Sequence, residues 1–146
     1  REVSKRHVRR NSPLATEHAE QAALIEWWSI ACKGYGLPPW SLFSIPNGAH
    51  LAGDSRGRAI KMANLKRTGL RPGVPDLFLA KALSVPVDGH FSTVAHGLFL
   101  EMKRRPNKPS PEQESVILYL RQRGYHCVVT YGFEEAKNAI TEYLRA

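Results

Sequence analysis

Cysteine is scarce in this chain, and long apolar runs are missing from it. Only Cys32 and Cys127 are present, and neither belongs to a CxxC pair. This argues against a disulfide framework and against a structural zinc site. No apolar run approaches the roughly 20 residues that cross a bilayer, and the basic start is not followed by the apolar stretch of a signal peptide. We therefore expect an intracellular, cytoplasmic protein with reduced thiols and no membrane partner.

Acidic residues are also in deficit. Lys and Arg number 21 against 13 Asp and Glu, which gives a net charge of +8 over 146 residues. A small protein with this excess commonly binds a polyanion, most often nucleic acid. On its own the charge fits a merely soluble basic surface as well. The hydrophobic fraction of 42% is ordinary for a globular protein and disfavours disorder.

The length and patterning predict one domain, residues 15–146, preceded by a flexible basic arm, residues 1–14. Helical periodicity and caps predict helices from about Ala15 to Lys33, from Asp54 or Ser55 to Gly69, from Ser110 onward, and from Phe133 to Leu144. Apolar and β-branched runs predict strands at 41–45, 76–83, 97–103 and 125–131. The predicted order is αβαββαβα, with the two central strands forming a hairpin across a long polar loop.

The second of these central strands ends in an acid and a base. Glu101 and Lys103 stand at positions i and i+2, so both project from one face while Leu98 and Leu100 face the other side. This placement is costly unless the charges are paired, solvated or bound to a cation. The first central strand begins with Asp76. If the two strands pair, Asp76 and Glu101 converge at one edge of the sheet.

Two carboxylates held close together repel each other, and a divalent cation between them removes the repulsion. Beside such a cation, Lys103 would orient or help deprotonate an attacking water and stabilise charge on a phosphate. This chemistry is typical of phosphodiester hydrolysis. Taken singly, a Glu-x-Lys on a strand is usually a solvated pair and a Pro-Asp is usually a turn. Their combination, in order and on apolar strands of a basic chain, favours the functional interpretation.

Several segments together resemble the VRR-NUC family, the virus-type replication-repair nucleases of the PD-(D/E)XK superfamily. The matching segments are Gly73-Val74-Pro75-Asp76, Gly97 to Lys103, Ser110 with Gln113, Gly124-Tyr125, and Ile45-Pro46-Asn47-Gly48. They occur in the family's order, and the resemblance covers about Glu17 to Leu144. It implies an α/β (α+β) fold with a restriction-endonuclease-like core, in which helices flank a mixed central sheet.

The resemblance also implies dependence on Mg²⁺ or Mn²⁺, with Asp76, Glu101 and Lys103 as catalytic residues. Asp76, Glu101 and the backbone carbonyl of Met102 would be metal ligands. Met102 departs from the family's usual Leu or Val, and only its carbonyl would be needed.

The family's helical acid maps onto Glu20 or Glu17. Glu20 is favoured as a further catalytic and metal-binding residue, because it shares a helical stripe with Leu24, Trp27 and Ala31. Its alternative role is a first-turn charge that is favourable to the helix dipole.

Gln113 has two interpretations that the sequence leaves open. It lies on the stripe of Ile117 and Leu120, so it can face the active site as a catalytic residue. Its spacing from Ser110 also fits a capping box.

The expected partner is DNA, held by phosphate contacts. The candidate contacts are Arg56, Arg58, Lys61, Lys66, Arg67, Arg71, Arg104, Arg105, Lys108 and Ser110. Some of the basic side chains also fit the solvated face of an amphipathic helix. Trp27, Trp28 and Trp40 are expected in the core or at an interface rather than as base-stacking platforms.

The resulting expectation is a metal-dependent, structure-selective DNA endonuclease that acts as a homodimer on branched DNA such as four-way junctions. Three alternatives remain at this point: an inactive nucleic-acid-binding module of the same fold, a flap or single-strand nuclease, and an RNA-directed nuclease. Phosphate contacts are common to DNA and RNA and do not distinguish them.

Overall fold

The structure, a computed structural model, describes residues 16–47 and 54–146. Its helices are α1 (Glu17–Ala31), α2 (Ser55–Arg67), α3 (Pro111–Gln122) and α4 (Gly132–Arg145). Its strands are β1 (Leu42–Ser44), β2 (Leu77–Leu79), β3 (Leu83–Val87), β4 (His90–Ala95), β5 (Leu98–Lys103) and β6 (His126–Tyr131). The expected basic arm and Gly48 of the predicted turn lie outside the described residues.

Four strands form the central sheet in the order β1-β2-β5-β6. Strand β2 is antiparallel to both β1 and β5, whereas β5 and β6 are parallel. The predicted α/β fold with a mixed central sheet flanked by helices is therefore confirmed. The parallel pair needs a crossover connection, and α3 supplies it.

Strand alternation divides the sheet into an apolar face and a face that carries polar groups. Leu77, Leu98, Leu100 and Met102 are buried in one core cluster together with residues of α1 and α4. On the opposite face Phe43, Phe78 and Phe99 stand in register across three strands. Because Asp76, Glu101 and Lys103 alternate with the apolar set, they share the face of these aromatic rings.

The segment between the two predicted central strands differs from the expected polar loop. It forms a second, two-stranded sheet of β3 and β4. Asp88 and Gly89 join the strands with positive φ angles of 47° and 80°, the backbone that a two-residue hairpin turn requires. The Pro86 and Asp88-Gly89 signals that predict a loop are also compatible with such a hairpin. The predicted order therefore lacks two strands.

The helix starts follow their capping residues. Asp54 is the N-cap of α2, since its carboxylate accepts a hydrogen bond from the Gly57 N–H at 2.7 Å. Ser110 caps α3 in a complete capping box. Across the described residues, no helix combines the length and the apolar content that a membrane span requires.

The three tryptophans occupy different environments. Trp28 is buried in the core, and Trp27 is partly buried against it. Trp40 is 75% exposed and Ile30 is 77% exposed, so of the two expected locations, core and interface, Trp28 takes the core and Trp40 is left with the interface as a prediction.

Candidate active site

Glu101 and Lys103 form an ion pair at the end of β5. The Lys103 Nζ lies 2.8 Å from the Glu101 Oε1, and the Glu101 side chain is 1% exposed. The alternation of β5 turns both side chains away from the core that contains Leu100 and Met102. The predicted neighbouring placement of acid and base is present, and the acid is almost completely desolvated.

Asp76 reaches this pair from the neighbouring strand. It directly precedes Leu77, which pairs with Leu100 in the antiparallel ladder, so Asp76 lies beside Glu101 at the same end of the two paired strands. The Met102 N–H donates to the Asp76 Oδ2 at 2.9 Å. The structure therefore brings Asp76, Glu101 and Lys103 together, as the alternation of the two strands predicts.

Asn47 is a neighbour of this site that the sequence analysis did not single out. Its Nδ2 donates to the Asp76 Oδ1 at 3.0 Å. With the Met102 N–H on the other oxygen, both carboxylate oxygens of Asp76 accept a hydrogen bond. The available signal was the segment Ile45 to Gly48, which entered only as part of the family resemblance. A contact across 29 positions gives no pattern that a local reading detects.

Gln113 completes the capping box and also faces the site, so its two predicted placements are compatible. Its Oε1 accepts the Ser110 N–H at 2.8 Å, and its backbone N–H donates to the Ser110 Oγ at 3.2 Å, which completes the capping box. Its Nε2 simultaneously donates to the Glu101 Oε1 at 2.5 Å. One amide therefore fixes the start of α3 and orients Glu101.

The second carboxylate oxygen of Glu101 has no partner. Oε2 is buried and finds no hydrogen-bond partner among the described residues. Burial raises the pKa of Glu101 to about 7; the negative charges of Asp76 and Glu17 add to this rise, and Lys103 opposes it. A buried, unsatisfied carboxylate oxygen is costly and calls for a proton, a water or a cation.

The pKa values of Asp76 and Lys103 are raised as well. Burial raises the pKa of Asp76, although the hydrogen bond from Met102 and the charge of Lys103 oppose the change. For Lys103, burial alone would lower the pKa, but the hydrogen bond and charge of Glu101, with the charges of Glu17 and Asp76, hold it above its usual value. The ammonium therefore stays protonated at neutral pH.

A divalent cation fits this set of donors. Asp76 and Glu101 offer carboxylate oxygens, and the Met102 carbonyl shares the strand edge of the N–H that reaches Asp76. Hard oxygen ligands of this kind suit Mg²⁺ or Mn²⁺. No three His, Cys, Asp or Glu side chains converge on one point within residues 16–47 and 54–146, so water would supply the remaining ligands.

Both candidate helical acids lie near the site, and each accepts a backbone hydrogen bond. The Glu20 Oε2 accepts the Phe133 N–H at 2.7 Å and so caps the start of α4. Glu17 accepts the Arg104 N–H at 2.9 Å, and its charge acts on Asp76, Glu101 and Lys103. The role of Glu20 as the helical acid stays a prediction, with Glu17 as its alternative.

The predicted phosphate contacts form two groups. The first belongs to α2 and the turn after it, and consists of Arg56, Arg58, Lys61, Lys66, Arg67 and Arg71, all of them exposed. Helix α2 buries none of its residues in the described part of the chain, which suits a helix that presents charge to a partner. The Arg71 guanidinium, however, donates to the carbonyls of Lys66 at 2.9 Å and Leu70 at 3.1 Å, so it also ends the helix.

The second group follows β5 and consists of Arg104, Arg105, Lys108 and Ser110, all exposed. Arg105 forms an ion pair with Glu135 at 3.1 Å. Both the N–H and the hydroxyl of Ser110 are engaged in the capping box, so the Ser110 side chain serves α3 first. The basic side chains of both groups come from segments that directly precede Asp76 or follow Lys103.

Comparison with known proteins agrees with this geometry. The family model of the VRR-NUC domain matches residues 15–134. A solved structure described as "VRR_NUC domain protein" is similar to this chain with a TM-score of 0.69 and 25% sequence identity, covering 90% of this chain and 89% of the other. A search of curated proteins gives no match.

Proposed function

The chain belongs to the VRR-NUC domain family, a family of nuclease-type domains, and we propose that it is a Mg²⁺- or Mn²⁺-dependent endonuclease that hydrolyses phosphodiester bonds in branched DNA such as four-way junctions. The observation that carries the proposal is the unsatisfied, buried Glu101 Oε2 beside Asp76 and Lys103. A structural ion pair would have no need of a second carboxylate at the same edge of the sheet.

In the proposed reaction each residue of the site has a separate role. Asp76 and Glu101, with the Met102 carbonyl, would hold the cation, which when bound polarises the phosphoryl oxygen and lowers the pKa of a water. Lys103 keeps its proton, because its pKa is raised, and therefore orients the attacking water and stabilises negative charge on the phosphate. Gln113 and Asn47 keep the two carboxylates in place.

DNA shape is the proposed basis of substrate choice. The basic side chains of α2 and of the segment after β5 are suited to phosphates, which carry no sequence information. A junction offers phosphates from more than one duplex arm to these two groups. The two groups of phosphate contacts therefore support recognition of a branched DNA shape rather than of a base sequence.

A symmetric homodimer is part of the proposal. The exposed apolar side chains of Ile30, Trp40 and Phe43 lie at the end of α1, in the short 3₁₀ helix Pro39–Ser41 that precedes β1, and on the edge strand β1. Burying these side chains against a second copy would remove the cost of exposing apolar surface to water. Two active sites related by a two-fold axis would suit two symmetric cuts in a junction.

The test is a cleavage assay of the purified chain on labelled four-way junction, flap, linear duplex and single-stranded DNA, with matched RNA strands. Each substrate is incubated with Mg²⁺, with Mn²⁺ and with chelator, and light scattering gives the oligomeric state. We expect metal-dependent, symmetric cuts in the junction. Binding without cleavage on every substrate would indicate an inactive module, and equal cutting of linear duplex by a monomer would remove the junction and dimer proposals.

A further inference from the structure

A cavity of about 240 Å³ opens beside Lys103, at the carboxyl ends of β5 and β6. Its lining includes Lys103 and Arg105 from the end of β5 and beyond, Tyr131 from the end of β6, and the acids Glu17 and Glu20 of α1. It is smaller than a drug-sized site, which takes about 300 Å³ or more, and so fits a single small group. Since Lys103 is paired with Glu101, the cavity directly adjoins the proposed catalytic centre.

Arg105 is held in a defined orientation at this cavity. Its guanidinium carbon lies 4.3 Å from the centroid of the Tyr131 ring. The Arg105 Nη2 also bonds to the Glu135 Oε1 at 3.1 Å, and the other oxygen of Glu135 accepts the Tyr131 N–H at 2.9 Å. Tyr131 and Glu135 thus hold the Arg105 guanidinium, and the Arg105 side chain is still 72% exposed.

The two acids of the lining are already engaged. Glu17 accepts the Arg104 N–H and Glu20 accepts the Phe133 N–H. Their charges are therefore partly compensated by backbone dipoles, while Arg105 offers an exposed flat surface. Such a surface can stack on a nucleobase, because a guanidinium that covers a ring with one face leaves its other face open.

Resting on the proposed nuclease function, we propose that this cavity is a subsite for one unpaired nucleobase next to the scissile phosphate, stacked on Arg105. In a duplex both faces of each base are covered by neighbours, so only a base freed by a branch, a gap or an end can stack on a side chain. In a four-way junction, whose bases are all paired, the subsite would take a base that unstacks at the branch point beside the cut.

The first experiment compares wild type, R105A and R105K on branched DNA in which single abasic positions are scanned on both sides of the cut. One abasic position should slow the wild type about tenfold, the scale of one lost base stack, and should not slow R105A further. R105K keeps the charge and loses the plane, so it should behave like R105A. A wild-type rate for R105K, or no sensitive position, would overturn the subsite.

A matched control is R123A, which removes another arginine stacked on a tyrosine. Arg123 lies 5.2 Å from the Tyr119 ring, at the far end of α3 from Gln113, a separation of roughly 15 Å along the helix. R123A should leave the cleavage rate and its base dependence unchanged. If R123A lost as much cleavage activity as R105A, the loss of a surface charge would explain both results, and the proposal would be overturned.

A binding measurement separates this inference from the proposed function. In chelator, 2-aminopurine at the sensitive position, or scanned beside the branch if no cleavage is found, should change fluorescence on binding wild type and not R105A. Cleavage without this response would refute the subsite alone. No cleavage of any substrate would refute the nuclease proposal, and the fluorescence response would still decide whether the cavity holds a base.

Discussion

Gln113 is bonded to Glu101 through the same amide that caps α3. The Nε2 donates to the Glu101 Oε1 at 2.5 Å, and the Oε1 accepts the Ser110 N–H at 2.8 Å. The start of a helix and the orientation of a buried carboxylate therefore depend on one side chain, and suitable substitutions separate the two roles.

The first prediction uses Q113E. Glutamate preserves the acceptor for the Ser110 N–H, so the cap of α3 should be retained. It replaces the donor to Glu101 with a negative charge, so cleavage should fall at least tenfold. S110A is the control: it removes the cap hydroxyl, costs about 1 kcal/mol of unfolding free energy, and leaves the bond between Gln113 and Glu101 in place. Full activity of Q113E would show that the bond to Glu101 is without consequence.

The second prediction concerns pH and stability without divalent cations. The pKa of Glu101 is about 7 in the folded chain against 4.5 ordinarily, so the folded state holds the proton more tightly. This stabilisation is complete below pH 4.5 and is lost as pH rises through 7, with a loss of up to about 3 kcal/mol. E101Q cannot titrate at this position. The unfolding free energy of E101Q minus that of wild type should therefore increase between pH 5 and pH 8. Parallel curves from chemical denaturation in chelator would contradict the raised pKa.

The third prediction tests the proposed catalytic residues. D76A, E101A and K103A should each abolish cleavage while leaving circular dichroism and most DNA binding unchanged, because these side chains supply chemistry rather than core packing. E101Q should in addition weaken Mn²⁺ binding in calorimetry, since the amide keeps the shape and loses the charge. Wild-type rates in any of the three alanine variants would refute the assignment.

The fourth prediction distinguishes Glu17 from Glu20. Glu17 raises the pKa of both Asp76 and Glu101, so E17Q should lower the pH at which Mn²⁺ affinity rises and should reduce cleavage. Glu20 caps α4, so E20A, which removes the acceptor, should lower the unfolding free energy by about 1 kcal/mol and change cleavage less. The reverse pattern would favour Glu20 as the helical acid.

The fifth prediction concerns salt. Each phosphate neutralised on duplex DNA contributes about −0.9 to the slope of log K against log salt. K66A/R67A removes two exposed charges of α2 and should flatten the slope by up to twice that amount. Arg71 is left in place because it also ends the helix. K33A, just beyond the end of α1 that lies away from Glu17, is the control. An unchanged slope in the double variant would place the DNA surface elsewhere.

The sequence was sufficient for the parts of the site that follow from local periodicity. Glu101 and Lys103 share a face because they are two positions apart on a strand, and Asp76 joins them because two apolar strands pair. Glu17 and Glu20 are a different case, since both stand in the first turn of α1. Which of them reaches the site depends on the orientation of α1 relative to β5 and α4. The periodicity of the α1 sequence does not predict that orientation.

Three further features were not predicted. The turn of β3 and β4 was missed because Pro86 and Asp88-Gly89 were assigned to a loop, although Asp-Gly is also a hairpin signal. Asn47 and Asp76 meet across 29 positions, and Arg105 and Tyr131 across a whole crossover connection. Such contacts are consequences of topology, and they become visible only when the strand order is known.

The hydrogen bond between Glu20 and Phe133 has a consequence for the order of biosynthesis. It spans 113 positions and ties the first helix to the last. On a ribosome, Asp76, Glu101 and Lys103 emerge well before α4 exists to receive α1. The nascent polypeptide therefore carries its catalytic side chains while α1, which supplies Glu17, still lacks its partner. The packing of α1 against α4, and with it the bond between Glu20 and Phe133, can form only after α4 has left the ribosome.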